Sequence, residues 1–132
     1  MEQYKNTWFI YRWFYENGED LIHPEDLKRF KERFRCHGNC LFFCVGADKE
    51  YIIFKYKEEL FRVKPNLYKR VGMPIYSYGE HLKLKKYPDA ICEVDDIRWH
   101  SDRYEPFYTL IVDGKKKSKS YYEDEFLLEV NI

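Results

Sequence analysis

The stretch NTWFIYRWFYENGED, residues 6–20, constrains the fold of this chain more than any other segment. Side chains of an extended strand alternate between two faces. Here Trp8, Ile10 and Phe14 share one face, while Phe9, Tyr11, Trp13 and Tyr15 share the other. A strand that is bulky and apolar on both sides is normally sandwiched between layers, so the pattern predicts an interior strand. Asn17 and Gly18 predict the turn that ends it. Aromatic residues fill 20% of the 132 positions, including 13 Tyr and 10 Phe, so the same demand recurs along the chain. Such rings fit pleated, half-buried surfaces, and those the core does not need are adhesive groups at an interface.

One segment breaks this pattern. In LIHPEDLKRFKERF, residues 21–34, Leu27, Phe30 and Phe34 recur at helical spacing. Pro24 suits a first helical position, and Glu25 and Asp26 suit the positive end of a helix dipole, which predicts a helix of about three turns. Beyond it, CLFFCV, EYIIFKY and LFRVK read as strands, and PNLYKRVGMPIYSYGE, with two prolines and two glycines, reads as a boundary. HLKLKKY, AICEVDDIRWH, FYTLIVDGK and EFLLEV then give further strands, with turns at Pro88–Asp89 and Asp113–Gly114. The KKKSKS run reads as a solvated hairpin tip. The expected fold class is therefore α+β, mostly antiparallel, with a β-rich subdomain and one short helix over residues 1–71 and a small β-rich subdomain over residues 72–132.

Charge is balanced, with 23 basic and 23 acidic residues, which gives no global argument for nucleic acid or a membrane surface. No apolar run reaches the ~20 residues of a membrane span, and the start of the sequence carries no signal-peptide pattern, so a cytoplasmic location is expected. Cysteines there stay reduced.

RCHGNCLFFCVG, residues 35–46, raises the question of a metal. Cys40 and Cys44 on a strand stand about 13 Å apart along one face, too far to share an ion. Cys36, His37 and Cys40 lack a fourth ligand. The simpler reading is a helix exit with Gly38 at its cap, followed by a strand whose face is Cys40, Phe42 and Cys44. No metal and no cofactor are expected. His23, His37, His81 and His100 are scattered, and no nucleophile turn or phosphate loop is present. The carboxylates Glu19–Asp20, Asp95–Asp96 and Glu123–Asp124–Glu125 are adjacent in pairs, which on a strand aims neighbours at opposite faces. No catalytic residue is assigned, and the chain is not expected to be an enzyme.

The second half, residues 79–130, resembles the small five-stranded barrels of the Src-homology-3 and Tudor type. The resemblance rests on AICEVDDIRWH, with its spaced Ile, Val, Ile and Trp, and on YTLIVDGKKKSKSYYEDEFLLEV, with its Asp-Gly turn and closing acidic-hydrophobic segment. The first half resembles small bacterial domains of unknown function. Barrels of this type bind peptides, modified side chains or nucleic acid on an aromatic surface. By that resemblance Trp99, Tyr104, Phe107, Tyr108, Tyr121 and Tyr122 would form one binding cluster. Glu93, Asp95 and Asp96 depart from nucleic-acid-binding members. Another protein is therefore the expected partner, in a non-catalytic interaction module of immunity, inhibitor or adaptor type from a bacterium or phage. A nucleic-acid-binding barrel is the alternative, and an enzyme whose site is assembled only in space is the second.

Overall fold

The computed structural model describes residues 2–34 and 38–128. The chain divides into two compact units, Met1–Met73 and Pro74–Ile132. The division falls inside the Pro- and Gly-rich segment, two residues past the expected boundary.

The first unit is one antiparallel sheet of five strands: β1 (Trp8–Tyr11), β2 (Phe42–Ala47), β3 (Ile52–Tyr56), β4 (Glu59–Val63) and β5 (Tyr68–Arg70), in the order β4-β3-β2-β1-β5. β1 lies between β2 and β5, and Phe9, Ile10 and Tyr11, which alternate between its faces, are all buried. It is shorter than expected. Trp13 leaves the strand, donating its indole N–H to the Gly18 carbonyl at 2.8 Å, and Phe14 and Tyr15 turn into solvent. Asn17 and Gly18 do not form a hairpin. Asn17 closes a 3-10 turn by accepting the Phe14 N–H at 2.8 Å, and Gly18 holds φ +96° where a Cβ would meet the Asp20 carboxylate at 2.6 Å. β5 lies in what the sequence marks only as a boundary.

The helix α1 (Leu27–Phe34) spans two turns rather than three. Pro24 precedes it instead of opening it. Asp26 does not serve the dipole alone. Its carboxylate is drawn to β4, accepting the Arg62 backbone N–H and Nε–H, both at 2.9 Å, and the Arg29 guanidinium at 2.9 Å. Phe30 and Phe34 point from α1 onto Phe42, Phe54 and Phe61, whose rings pack edge-on and stacked between 4.1 and 6.5 Å apart. Cys40, Phe42 and Cys44 lie on that same buried face. Burial raises the Cys44 thiol pKa, and its Sγ donates to the Gly46 carbonyl at 3.2 Å. Cys36 and His37 lie outside the described residues. Among the described residues no set of three metal-ligating side chains converges, and Cys44 and Cys92 are free thiols.

The second unit is an antiparallel meander of β6 (His81–Leu84), β7 (Cys92–His100) and β8 (Glu105–Val112), extended by β9 (Lys115–Lys116), β10 (Tyr121–Tyr122) and β11 (Phe126–Leu127). The order is β10-β8-β7-β6-β11, with β9 also on β8. Asp113 and Gly114, both at positive φ, form the expected two-residue turn between β8 and β9. β10 and β11 occupy opposite edges, yet only the 3-10 turn Glu123–Glu125 joins them. Across a flat sheet, four strand spacings would separate them by about 19 Å. Four residue steps span at most about 14 Å. The sheet must therefore coil, although no ladder joins β10 to β11 among the described residues, so it stays open. Phe126, Tyr108, Leu110, Val94 and Ile97 fill the inside of the coil.

Candidate functional site

The six aromatic residues expected to cluster are divided by strand parity. On β7, Trp99 falls in phase with Ile97, and on β8, Tyr108 falls in phase with Leu110, so both face the core. Tyr108 is fully buried; its hydroxyl donates to Glu123 Oε2 at 2.6 Å, and burial together with that carboxylate drives its pKa upward. Neither residue can grip a partner. Tyr121, opposite Tyr108, lies on the opposite side of β10 from its neighbour Tyr122.

Of the remaining three, Phe107 and Tyr122 meet on the outer face. Phe107 and Tyr122 are register partners across β8 and β10, with ring centroids 6.1 Å apart. His100 adds a third ring, 6.1 Å from Phe107 and 6.3 Å from Tyr122. Arg103 lies over Tyr122, its guanidinium carbon 3.7 Å from the ring centroid, at cation–π distance. Its Nε is 3.3 Å from Glu105, and its backbone N–H donates to His100 Nδ1 at 3.2 Å. The open cage that could receive a foreign cation is thus already occupied by the protein's own arginine.

Tyr104 lies in the hairpin between β7 and β8. It is 79% exposed and holds φ +52°. A left-handed backbone costs an L-residue roughly 1–2 kcal/mol, and Gly or Asn is the usual occupant. A bulky ring at such a site contributes nothing to the core, so the fold gains nothing from it. His100 and Arg103 are members of the site that the aromatic pattern alone does not reveal. The usable signal is their position, at the end of a strand and in the hairpin loop beside Tyr104.

The other candidate groups have structural partners. His23 Nδ1 accepts the Glu25 N–H at 3.1 Å, and its ring packs 4.9 Å from Tyr51. The expectation that Asp95 and Asp96 face opposite ways fails, because a β-bulge between Val94 and Asp96 turns both away from the core. They pair separately, Asp96 with Arg98 at 3.3 Å and Asp95 with Lys116 at 3.8 Å.

Fold and site together define a small, two-unit, mostly antiparallel β protein with one helix and an aromatic face carrying an arginine. Residues 1–127 match the family described as "Family of unknown function (DUF6960)", and the chain belongs to that family. No curated protein and no solved structure matches it. No helix among the described residues is long and apolar enough to cross a membrane.

Proposed function

We propose that the chain is a non-catalytic protein-interaction module of immunity, inhibitor or adaptor type, of bacterial or phage origin, working in the cytoplasm. Its contact surface is the outer face of β7, β8 and β10. The observation that carries this reading is Tyr104, a large ring projected into solvent from a backbone conformation that costs stability. Such strain, where the fold draws no benefit from it, points to a role outside the fold. Tyrosine and arginine dominate the energetics of protein interfaces, and Tyr104, Tyr122 and Arg103 provide both. Arg103 is held in place by Tyr122, His100 and Glu105, so little side-chain entropy remains to be lost on binding.

The coiled sheet, the Asp113–Gly114 hairpin and the 3-10 turn before the last strand support a Src-homology-3/Tudor-like reading of the second unit. In this unit the working face is built from Tyr104, Phe107 and Tyr122 with His100 and Arg103.

The test is affinity capture from a lysate of the source organism, with and without nuclease, using the natural chain and a Tyr104→Ser/Tyr122→Ala variant. One protein recovered in near-equal amount, insensitive to nuclease and lost with the variant, is the expected result. Capture that the variant leaves intact would remove the face from consideration. Capture that vanishes with nuclease would replace this reading with nucleic-acid binding.

A further inference from the structure

A second recess lies elsewhere in the second unit, on the Tyr121 side of β10 rather than the Tyr122 side. It encloses about 240 Å3 between the end of β6 and the turn joining β10 to β11. Pockets for small organic ligands usually run from roughly 300 to 1,000 Å3, so this one suits a single side chain better than a cofactor. Its walls are Leu84, Tyr121 and Tyr87, and Tyr87 is 65% exposed, an unusual placement for a ring that could have been buried.

The charges around it are not equivalent. Lys119 is committed: it lies 4.7 Å above the Tyr121 ring and 3.3 Å from Glu125 Oε1. Glu125 is equally committed, since its other oxygen accepts the Tyr122 N–H at 2.8 Å. Lys85 and Lys86 are exposed, and neither ammonium has an ion-pair partner among the described residues. Among the described residues, Asp124 is the one carboxylate left on the rim, so their uncompensated charge is positive.

We infer that this groove docks an acidic peptide segment of a partner protein, with one aromatic or aliphatic side chain inserted over Leu84 between Tyr87 and Tyr121 and with flanking carboxylates on Lys85 and Lys86. Single-stranded nucleic acid is the less favoured occupant. Such a strand needs a basic groove that follows its backbone past successive stacking rings, and this recess is a single opening of side-chain size. The groove is distinct from the aromatic face, so the two readings fail separately.

The experiment is fluorescence anisotropy with a dye-labelled peptide of glutamates flanking one phenylalanine. The controls are the same peptide with alanine for phenylalanine, a lysine version, and an oligothymidylate of equal length. Binding of the first peptide, weakened at least about tenfold by Lys85→Glu/Lys86→Glu and by Tyr87→Ala, is the expected result. Lys85→Arg/Lys86→Arg should retain it, added salt should weaken it, and the lysine peptide should not bind. Because these side chains are exposed, the variants should keep the natural circular dichroism spectrum. Acidic-peptide binding that is absent, or indifferent to the charge reversal, overturns the inference. Tighter binding of the oligothymidylate overturns it in favour of nucleic acid. The Tyr104→Ser/Tyr122→Ala variant should bind the acidic peptide normally, whatever happens to the partner captured on the other face.

Discussion

The two units draw on the same aromatic surplus and seal different shares of it, although Phe14 and Tyr15 of the first stand in solvent and Tyr108 and Phe126 of the second are buried. In the first, Phe9, Phe30, Phe34, Phe42, Phe54 and Phe61 interlock between one sheet and one helix, and all are nearly or wholly sealed. In the second, no α-helix among the described residues covers the sheet, and Tyr87, Tyr104 and Ile91 project into solvent at 65, 79 and 71% exposure. A ring buried among rings contributes its full transfer free energy to folding. A ring left outside contributes little to folding and is available for contact. The difference teaches that composition alone does not separate scaffold from site; the presence of a covering layer does.

The sharpest way to break this comparison is Phe54→Ala. Phe54 is fully buried and stacks on Phe42 at 4.1 Å and on Phe61 at 5.4 Å, so truncation should cost about 3–5 kcal/mol. Urea denaturation of the variant should show the first unit lost well before the second. A loss under about 1 kcal/mol would mean that the aromatic cluster is not what holds the unit.

Asp26→Ala comes next. Burial alone would raise this carboxyl's pKa, but the bonds from Arg62, then Arg29, outweigh it and hold it below the usual value. Removing it leaves Arg62 with only the exposed Glu25 and should cost about 2–3 kcal/mol, less than a fully buried pair because Arg62 is partly exposed. The sign of the pH dependence follows. A carboxylate depressed on folding contributes fully above its unfolded value of about 3.9 and loses that contribution as pH falls through its lower folded value. Acid titration of stability should therefore be flatter below pH ~4 in Asp26→Ala than in the natural chain.

Glu123→Ala probes the second unit's own buried polar clasp. Glu123 Oε2 accepts both the Tyr108 hydroxyl at 2.6 Å and the Ile75 N–H at 2.8 Å. Leaving the buried phenol unsatisfied should cost about 1–3 kcal/mol, read from the thermal midpoint. Tyr108→Phe in the same background should recover part of that loss.

Tyr104→Gly has the smallest expected effect and the opposite sign. Relieving the left-handed strain should stabilise the hairpin by up to about 1 kcal/mol while abolishing partner capture. Destabilisation on this change would show that the ring supports the fold and would undo the contrast between the units.

Much of the architecture was readable before the structure. β2, β3, β4 and the β6–β8 meander follow period-two runs, and Asp113–Gly114 announces its own turn. What escaped was set by distant partners. β5 is three residues among Pro, Lys and Gly, and it is a strand because β1 offers it a backbone edge, which no side-chain pattern records. The helix starts late because Asp26 is held by Arg62, 36 positions away. The division of the aromatic set was legible in part. The parity that puts Ile97 and Leu110 inside also puts Trp99 and Tyr108 inside, whereas residue type alone groups them with the outward rings. The exposed setting of Tyr87 and the stacking of Arg103 on Tyr122 depend on the coil of the sheet, which local spacing does not encode.

The short turn that places β10 and β11 on opposite flanks also bears on association between chains. Seven consecutive residues, Tyr121–Leu127, supply both outermost strands at once. Until that segment is in place, β6 has one bare edge and β8 is covered only where β9 pairs with it, and bare strand edges invite pairing between chains. A single late segment then masks both together. A chain cut before Tyr121 should therefore aggregate more readily than the natural one, in which only the two-residue strands β10 and β11 stand at the margins.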